Sequence, residues 1–224
     1  MIITCGGPKG GSAKTTTIFT LTQKRQSDKG LGKVLLIDAD TRTHSSTKWA
    51  AIRSLKEHLP QLDVIQKSGS KDFIQVIKSL NEKYPDIFID VGGGNEAELK
   101  AALAISDIFI NPLQPSQMDA FTIGAVDALV GDAKIFNPRL RAYMVPSIVS
   151  PNALMVADDL AEFIELTDGL ENMQRTESII KSRKAYKKAV KQGKTIFELE
   201  GKDLDLKAID EMTNLYNEVF NDQR

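Results

Sequence analysis

The residues with the clearest chemical potential lie near the amino terminus, in a loop rich in glycine and lysine. Residues 9–16 read Lys-Gly-Gly-Ser-Ala-Lys-Thr-Thr, after an apolar run at 2–5 and before an apolar-periodic stretch. This order predicts a strand, a loop and a helix. In such a loop the backbone N–H groups and the helix amino terminus bind phosphate. Lys14 would reach the β- and γ-phosphates of a nucleotide, and the hydroxyl of Thr15 would bind Mg²⁺.

Two later apolar runs end in carboxylates. The run at 34–37 is followed by Asp38 and Asp40. The run at 87–89 is followed by Asp90 and then by three glycines. Taken singly, each pattern is also compatible with a solvated turn after a strand. Because ligands of α/β sheets bind at the carboxyl ends of the strands, the order of the three elements indicates one nucleotide site.

The rest of the chain predicts the elements that would hold these groups. Apolar runs of strand type alternate with stretches of helical period, which is typical of βαβ units. The predicted strands are residues 2–5, 34–37, 62–65, 87–91, 105–110 and 142–149. The predicted helices are residues 15–27, 45–57, 71–82, 96–103, 118–130 and 152–166. We therefore expect an α/β fold with a mostly parallel twisted sheet, helices on both faces and one domain over residues 1–224.

Composition excludes several classes of protein. The 224 residues are 42% hydrophobic and 26% charged, as in globular domains. The single cysteine, Cys5, excludes an intrachain disulfide and an all-cysteine metal site within one chain. No apolar run approaches the roughly 18 residues that cross a bilayer, and the amino terminus lacks the pattern of a signal peptide. We expect a cytoplasmic protein.

The loop at 9–16 resembles the deviant P-loop, K-G-G-x-G-K-[ST], of the ParA/MinD superfamily of ATPases, and Ala13 is its one departure. The resemblance implies a P-loop NTPase-like fold and a slow, Mg²⁺-dependent conversion of ATP to ADP and phosphate. In the superfamily the lysine matched by Lys9 reaches across a dimer interface to the partner's nucleotide. Ala13 adds a methyl group where backbone and phosphate come close, which would weaken binding or slow hydrolysis. The implied phosphate-binding residues are Lys9, Gly10, Gly11, Ser12, Ala13, Lys14, Thr15 and Thr16.

The same resemblance assigns the remaining site residues. Asp40 would orient or activate the attacking water, and Asp38 would support the Mg²⁺ and water shell, so that both join Lys9 and Lys14 as catalytic residues. Asp90 would bind Mg²⁺ together with Thr15 and Asp38. The implied switch glycines are Gly92, Gly93 and Gly94, and the candidates for adenine contact are Asn111 and Pro112.

The final third carries a sharp charge asymmetry. Residues 175–194 hold eight cationic residues and one carboxylate, a net charge of +7 in a chain whose net charge is −1. We predict a basic helix near 176–191, followed by a closing helix near 204–220. A basic stripe suits sequence-independent contact with duplex DNA, although most charge runs are solvated faces. The candidate DNA-binding residues are Lys181, Arg183, Lys184, Lys187, Lys188 and Lys191.

The tail, with the P-loop and the aspartates, resembles small plasmid-partition ParA proteins. That resemblance implies an ATP-induced homodimer that binds non-specific double-stranded DNA on the nucleoid, with no membrane contact, and partitions a plasmid or chromosome. A ParB-like centromere-binding adaptor would stimulate hydrolysis and release it. Two alternatives stay open: a MinD-like positioning ATPase, which the acidic last helix disfavours, and a nucleotide-gated binding protein whose hydrolysis Ala13 has impaired. A reductase like the nitrogenase iron protein is disfavoured by the single cysteine.

Overall fold

The strands form one parallel sheet in a computed structural model that describes residues 1–29, 33–69, 72–115 and 117–221. The predicted start of the third helix, residue 71, lies outside these ranges. The sheet order is β3-β2-β4-β1-β5-β6-β7, and β8 also pairs with β6. The strands are β1 (Ile2–Cys5), β2 (Leu35–Asp38), β3 (Asp63–Gln66), β4 (Ile87–Asp90), β5 (Ile108–Leu113), β6 (Arg141–Val149), β7 (Gln174–Arg175) and β8 (Ile180–Lys181).

Helices cover both faces of the sheet. They are α1 (Lys14–Lys29), α2 (Ser45–Ser54), α3 (Phe73–Asn81), α4 (Glu96–Leu103), α5 (Gln117–Phe136), α6 (Ala153–Leu166), α7 (Lys184–Lys191) and α8 (Leu206–Asn221). One buried cluster joins the sheet to α1, α2, α7 and α8, and a second joins it to α3, α4, α5 and α6. Alternate strand residues supply the two clusters, as the period of a strand requires. Leu36 belongs to the first cluster, for example, and its neighbours Leu35 and Ile37 to the second. The predicted fold class is confirmed.

Strand β5 runs three residues beyond its predicted end and includes Asn111 and Pro112. A proline inside a sheet normally removes a ladder hydrogen bond. Here β1 pairs with β5 only as far as Ile110, while β6 continues beside it to Pro146. At Pro112 the strand is therefore an edge on one side, which tolerates the missing N–H group.

The basic helix is shorter than the sequence predicts. Residues 180–181 pair with β6 as strand β8, and α7 begins only at Lys184. The β-branched pair Ile179-Ile180 favours extended backbone, and pairing with Ser147 fixes it there. Lys181 and Arg183 therefore lie outside the helix, and the prediction that the basic helix begins near residue 176 is wrong. The closing helix, α8, begins at Leu206 and ends at Asn221.

No helix in the described ranges is both long and apolar enough to span a bilayer.

Candidate nucleotide site

The P-loop crosses the carboxyl end of the central strand β1 and enters α1 at Lys14. The side chain of Lys14 is buried, and its ammonium donates to the backbone oxygen of Lys9 and, at 3.4 Å, to Oγ of Ser12. The hydroxyl of Ser147, on β6, donates to the backbone oxygen of Ser12 at 3.1 Å. The side chain of Lys14 is thus folded back across its own loop, and its ammonium group contacts two oxygen atoms of that loop.

Ala13 occupies the left-handed region of backbone space, with φ of 66°. A residue with a Cβ pays roughly 1–2 kcal/mol for this conformation, which glycine adopts freely. The position where the superfamily pattern has glycine therefore does require the backbone of a glycine. The methyl group of Ala13 strains the loop from within, at a residue that also lines the cavity described below.

Asp38, at the end of β2, holds the amino terminus of α2. Its Oδ2 accepts hydrogen bonds from the backbone N–H and the hydroxyl of Thr47, both at 2.8 Å. Its Oδ1 accepts from the backbone N–H of Asp40 at 3.1 Å. The formal cap residue His44 makes no side-chain capping bond, so the carboxylate of Asp38 complements the helix dipole instead.

Asp90, at the end of β4, carries an incompletely satisfied carboxylate. Its Oδ2 accepts from the hydroxyl of Ser46 at 2.7 Å, whereas its buried Oδ1 makes no hydrogen bond of acceptable geometry among the described residues. Burial raises the pKa of Asp90 to about 6, against the lowering effect of the Ser46 and Thr15 hydroxyls. A buried carboxylate oxygen without a partner, beside a threonine hydroxyl, is a donor set that fits Mg²⁺.

Asp40 is held in the turn that leads to α2. Its Oδ1 accepts from the backbone N–H groups of Arg42 and Thr43, at 2.9 and 3.2 Å, and its Oδ2 accepts from the Thr43 hydroxyl. Burial alone would raise the pKa of this carboxyl, but these bonds and the charge of Arg42 outweigh it and lower the pKa. Asp40 is therefore an ionised acceptor near neutral pH.

The glycines after β4 pack directly on the other two loops. A Cβ at Gly92 would clash with the Asp40 carboxylate. A Cβ at Gly93 would lie 2.9 Å from the carbonyl carbon of Lys9 and 3.0 Å from the backbone nitrogen of Gly10. The glycine segment therefore contacts both the backbone of Lys9 and the carboxylate of Asp40. A movement of this segment would affect both.

Asn95 joins the same two segments by hydrogen bonds and is a residue that the sequence analysis missed. Its amide nitrogen donates to the backbone oxygen of Ala39 at 3.0 Å, and its amide oxygen accepts from the Thr41 hydroxyl at 3.1 Å. The hydroxyls of Ser46 and Thr47 were missed as well. Their signal was present in the run Ser-Ser-Thr at the start of α2, where hydroxyl residues commonly satisfy helix ends.

These groups surround a cavity of about 340 Å³ at the carboxyl edge of the sheet. Its lining comprises Gly10, Gly11, Ala13, Lys14, Thr15, Thr16, Asp40, Arg42, Thr43, Ser45, Gly92 and Gly93. Most of the predicted phosphate, catalytic and switch residues thus meet at one place. Asp38 and Asp90 do not line the cavity and are each 1% exposed.

The two candidates for adenine contact lie elsewhere. Asn111 and Pro112 are buried within β5 and do not line the cavity. A Cβ at Gly7 would meet Oδ1 of Asn111 at 2.5 Å, so this amide packs under the start of the P-loop. The role of these residues in base recognition stays a prediction, and their burial does not favour it.

A larger cavity, of about 1040 Å³, lies between β7, β8 and α8. Two of its three carboxylates already serve the fold. Glu218 accepts from the backbone N–H groups of Glu177 and Ser178 at 2.8 and 3.0 Å. Glu211 pairs with Arg183 at 2.6 Å. These interactions anchor the segment before α7 to α8 and leave the smaller cavity as the candidate site.

The six predicted DNA-binding residues separate into two groups. Lys184, Lys187, Lys188 and Lys191 are exposed on α7, whose opposite side buries Ala185, Tyr186 and Ala189. Lys188 also pairs with Asp203 at 2.6 Å. Arg183 is only 13% exposed in its ion pair with Glu211, and Lys181 is half-buried in β8. The exposed cationic surface is therefore the lysine face of α7.

The fold and this cavity together define a P-loop ATPase of the ParA/MinD class. Residues 1–150 match the family described as ATPase MipZ, and the chain belongs to that family. It is 26% identical over 217 residues to the maintenance of carboxysome distribution protein A of Halothiobacillus neapolitanus, covering 95% of this chain and 93% of that protein.

Solved structures show the same fold. A putative plasmid partition protein from Borrelia burgdorferi B31, bound to AMPPNP, superposes with a TM-score of 0.71 at 20% identity, covering 100% of this chain and 99% of that one. The septum site-determining protein MinD from Pyrococcus horikoshii, complexed with Mg-ADP, gives 0.72 at 17% identity, covering 98% and 95%. The predicted superfamily is confirmed, and the protein is a ParA/MinD-like ATPase of the positioning or partition type.

Proposed function

We propose that this protein is an ATP-dependent partition ATPase that binds DNA in its ATP-bound, dimeric form and leaves it after hydrolysis. The observation that carries the proposal is the convergence of the P-loop, Asp40 and the glycine segment on one cavity. The exposed lysines of α7 would bind the DNA. Slow hydrolysis, stimulated by a ParB-like adaptor, would return the protein from the nucleoid to the cytoplasm.

The chain's own residues account for phosphate binding and water activation. Lys14 and the amino terminus of α1 would bind the β- and γ-phosphates, since both carry positive charge at the loop. Asp40, ionised and fixed by three hydrogen bonds, would accept a hydrogen bond from the attacking water and align it. Lys9 would serve the nucleotide of the partner in the dimer.

Mg²⁺ fits the orphaned Oδ1 of Asp90 and its neighbouring hydroxyl. Thr15, Asp90 and Asp38 would hold the ion, the carboxylates partly through water. When bound, it neutralises charge on the phosphate oxygens.

Nucleotide state would reach the rest of the molecule through the glycine segment. Gly92 contacts the Asp40 carboxylate and Gly93 contacts the backbone of Lys9 and Gly10. A γ-phosphate placed in the cavity would therefore reposition the turn that holds Asp40 and the loop that holds Lys9 together. That loop would face the second copy, so one rearrangement would set both hydrolysis and dimerisation.

DNA binding would use the lysine face of α7. Lysine ammonium groups bind phosphates without reading sequence, and their affinity falls steeply with salt. A dimer would present two such faces, and the second contact then becomes intramolecular, which strengthens binding well beyond that of one face. ATP would thus control DNA binding through the oligomeric state.

The test is duplex DNA binding with ATP, with ADP and without nucleotide, at two salt concentrations, beside phosphate release. We expect ATP-dependent, salt-sensitive binding. Lys14→Ala should abolish nucleotide and DNA binding, whereas Asp40→Ala should bind ATP and remain on DNA because hydrolysis fails. Confirmed ATP binding without DNA binding would contradict the partition role, and parental hydrolysis by Asp40→Ala would contradict the catalytic assignment.

A second candidate is positioning of a protein body instead of a plasmid. It is favoured by the match to the carboxysome distribution protein, which extends over nearly the full length of both chains. The two functions would differ in the body that is moved and in the adaptor that stimulates hydrolysis. A MinD-like membrane role would instead require the protein to pellet with anionic liposomes. Because Ala13 is strained, ATP turnover should be measured before the DNA-binding and liposome assays.

A further inference from the structure

Helix α2 is held at its amino end by two carboxylates of the candidate Mg²⁺ site. The hydroxyl of Ser46 donates to Oδ2 of Asp90 at 2.7 Å. The backbone N–H and the hydroxyl of Thr47 donate to Oδ2 of Asp38, both at 2.8 Å. Hydrogen bonds to an ionised carboxylate are about twice as strong as neutral ones, because they depend on its charge. Asp90 and Asp38 therefore cannot share that charge with a cation without weakening the bonds that hold α2.

The rest of the same helix contacts the turn that follows the basic helix α7. The indole N–H of Trp49 donates to the backbone oxygen of Lys194 at 3.2 Å. The guanidinium of Arg53 donates to the backbone oxygen of Gly193 at 3.1 Å. Gly193 has a φ of 64°, and a Cβ there would lie 2.6 Å from the backbone nitrogen of Arg53. The turn is therefore in direct contact with the backbone of α2, and a shift of one would displace the other.

Between these two sets of contacts α2 is one short, continuous helix. Ser46 and Arg53 lie about two turns apart, roughly 10 Å along the axis. Trp49 is 1% exposed and stacks on Phe19 of α1, with ring centroids 4.3 Å apart and an angle of 8° between the rings. Offset stacking of such rings is also favourable, so this contact tolerates a small slide of α2 along α1.

We propose that α2 couples the nucleotide site to the basic helix α7 within a single chain. Ser46 and Thr47 sense the carboxylates at one end of α2. Trp49 and Arg53 are positioning residues for the turn after α7 at the other end. The inference rests on the proposed nucleotide binding and adds to it: dimer formation would determine how many lysine faces meet DNA, whereas α2 determines the placement of each face. Because coupling is reciprocal, DNA bound to α7 would also change the affinity for nucleotide.

Two fluorescent reporters can follow the two parts of this path. Trp49 is the one tryptophan of the chain, so its emission reports on α2. An environment-sensitive thiol dye on Lys191→Cys reports on the exposed end of α7, and the fully buried Cys5 should not react with the dye. We expect saturating Mg-ATP, with binding confirmed by equilibrium dialysis, to change the emission of both reporters. The change should stay the same over an about tenfold range of protein concentration, because a change caused by dimer formation would depend on concentration.

Two conservative variants interrupt the path at the amino end of α2. Ser46→Ala and Thr47→Val each remove one hydroxyl from a carboxylate, and the backbone N–H of Thr47 stays on Asp38. Both reporters should lose most of their response in these variants, compared at saturating nucleotide. Ser54→Ala is the matched control, because its exposed hydroxyl lies on the same helix and donates to the backbone oxygen of Ala51. The control should respond as the parent does.

The outcomes separate this inference from the proposed function. Confirmed nucleotide binding with unchanged emission from either reporter would overturn the inference and leave nucleotide binding standing. Absence of nucleotide binding by the parent would overturn both. A full response of the α7 dye in both hydroxyl variants, or an equal loss in Ser54→Ala, would show that the coupling does not pass through the amino end of α2. A response that varies with protein concentration would assign the change to dimer formation and would also overturn the inference.

Discussion

The guanidinium of Arg53 and the carboxylate of Glu198 form a two-pronged ion pair in the protein interior, with N–O distances of 2.9 and 2.7 Å. Arg53 also donates to the backbone oxygens of Pro60 and Gly193, and its guanidinium lies 5.3 Å from the Trp49 ring. The pair therefore ties the end of α2 to the segment that follows the basic helix α7.

Removal of one partner should destabilise the protein strongly, because Arg53 is 1% exposed and would keep its charge. We expect Glu198→Gln to lower the free energy of unfolding by about 3 kcal/mol, measured by urea denaturation. The control is Glu96→Gln, which breaks an exposed ion pair with Lys100 and should leave the midpoint unchanged. Equal midpoints for both variants would show that the interior pair contributes nothing beyond a surface one.

Ala13→Gly should strengthen ATP binding and speed phosphate release, and it should change the free energy of unfolding only modestly. Glycine removes the roughly 1–2 kcal/mol of strain at φ of 66°, but it also gives the unfolded chain about 0.4–1 kcal/mol of additional entropy. The two effects oppose each other, so urea denaturation should show a net stabilisation of no more than about 1.6 kcal/mol. The strain and the methyl group both disappear from the cavity, however, so titration should show tighter ATP binding and phosphate release should be faster. Weaker ATP binding by the glycine variant would show that the methyl group helps the loop.

The sequence predicted those parts of the site that consist of residues adjacent in the chain. The P-loop and the aspartates at strand ends are contiguous motifs, and a parallel sheet brings strand ends together by itself. The pairing of Arg53 with Glu198 spans 145 residues and leaves no local pattern. Helix α7 was predicted to begin too early because the β-branched pair Ile179-Ile180 is a short local signal, and it is the pairing with β6 that places Ile180 in a strand.

Gly92→Ala should slow hydrolysis strongly while the protein remains folded. The added Cβ would clash with the carboxylate of Asp40, so the water-aligning group must leave its position. We expect phosphate release to fall at least about tenfold, since displacing a catalytic group by about 1 Å has effects of this order or greater. Gly124→Ala is the control, because no described atom outside the backbone of its own helix lies within 4 Å of a Cβ there and alanine favours that helix, α5. Parental activity in Gly92→Ala would place the catalytic carboxylate elsewhere.

Lys187→Ala and Arg183→Ala should fail in different assays, although both remove one positive charge from the basic segment. Lys187 is exposed on α7, so its loss should reduce the slope of log affinity against log salt by about 1 per DNA-binding face and leave the urea midpoint unchanged. Arg183 is 13% exposed against Glu211, so its loss should lower the free energy of unfolding by about 1.5–3 kcal/mol, the range for hydrogen bonds to charged groups. Its salt slope should change little, because this charge is already neutralised within the chain. A salt slope that changes only in Arg183→Ala would place the DNA contact before α7 and contradict the lysine face as the binding surface.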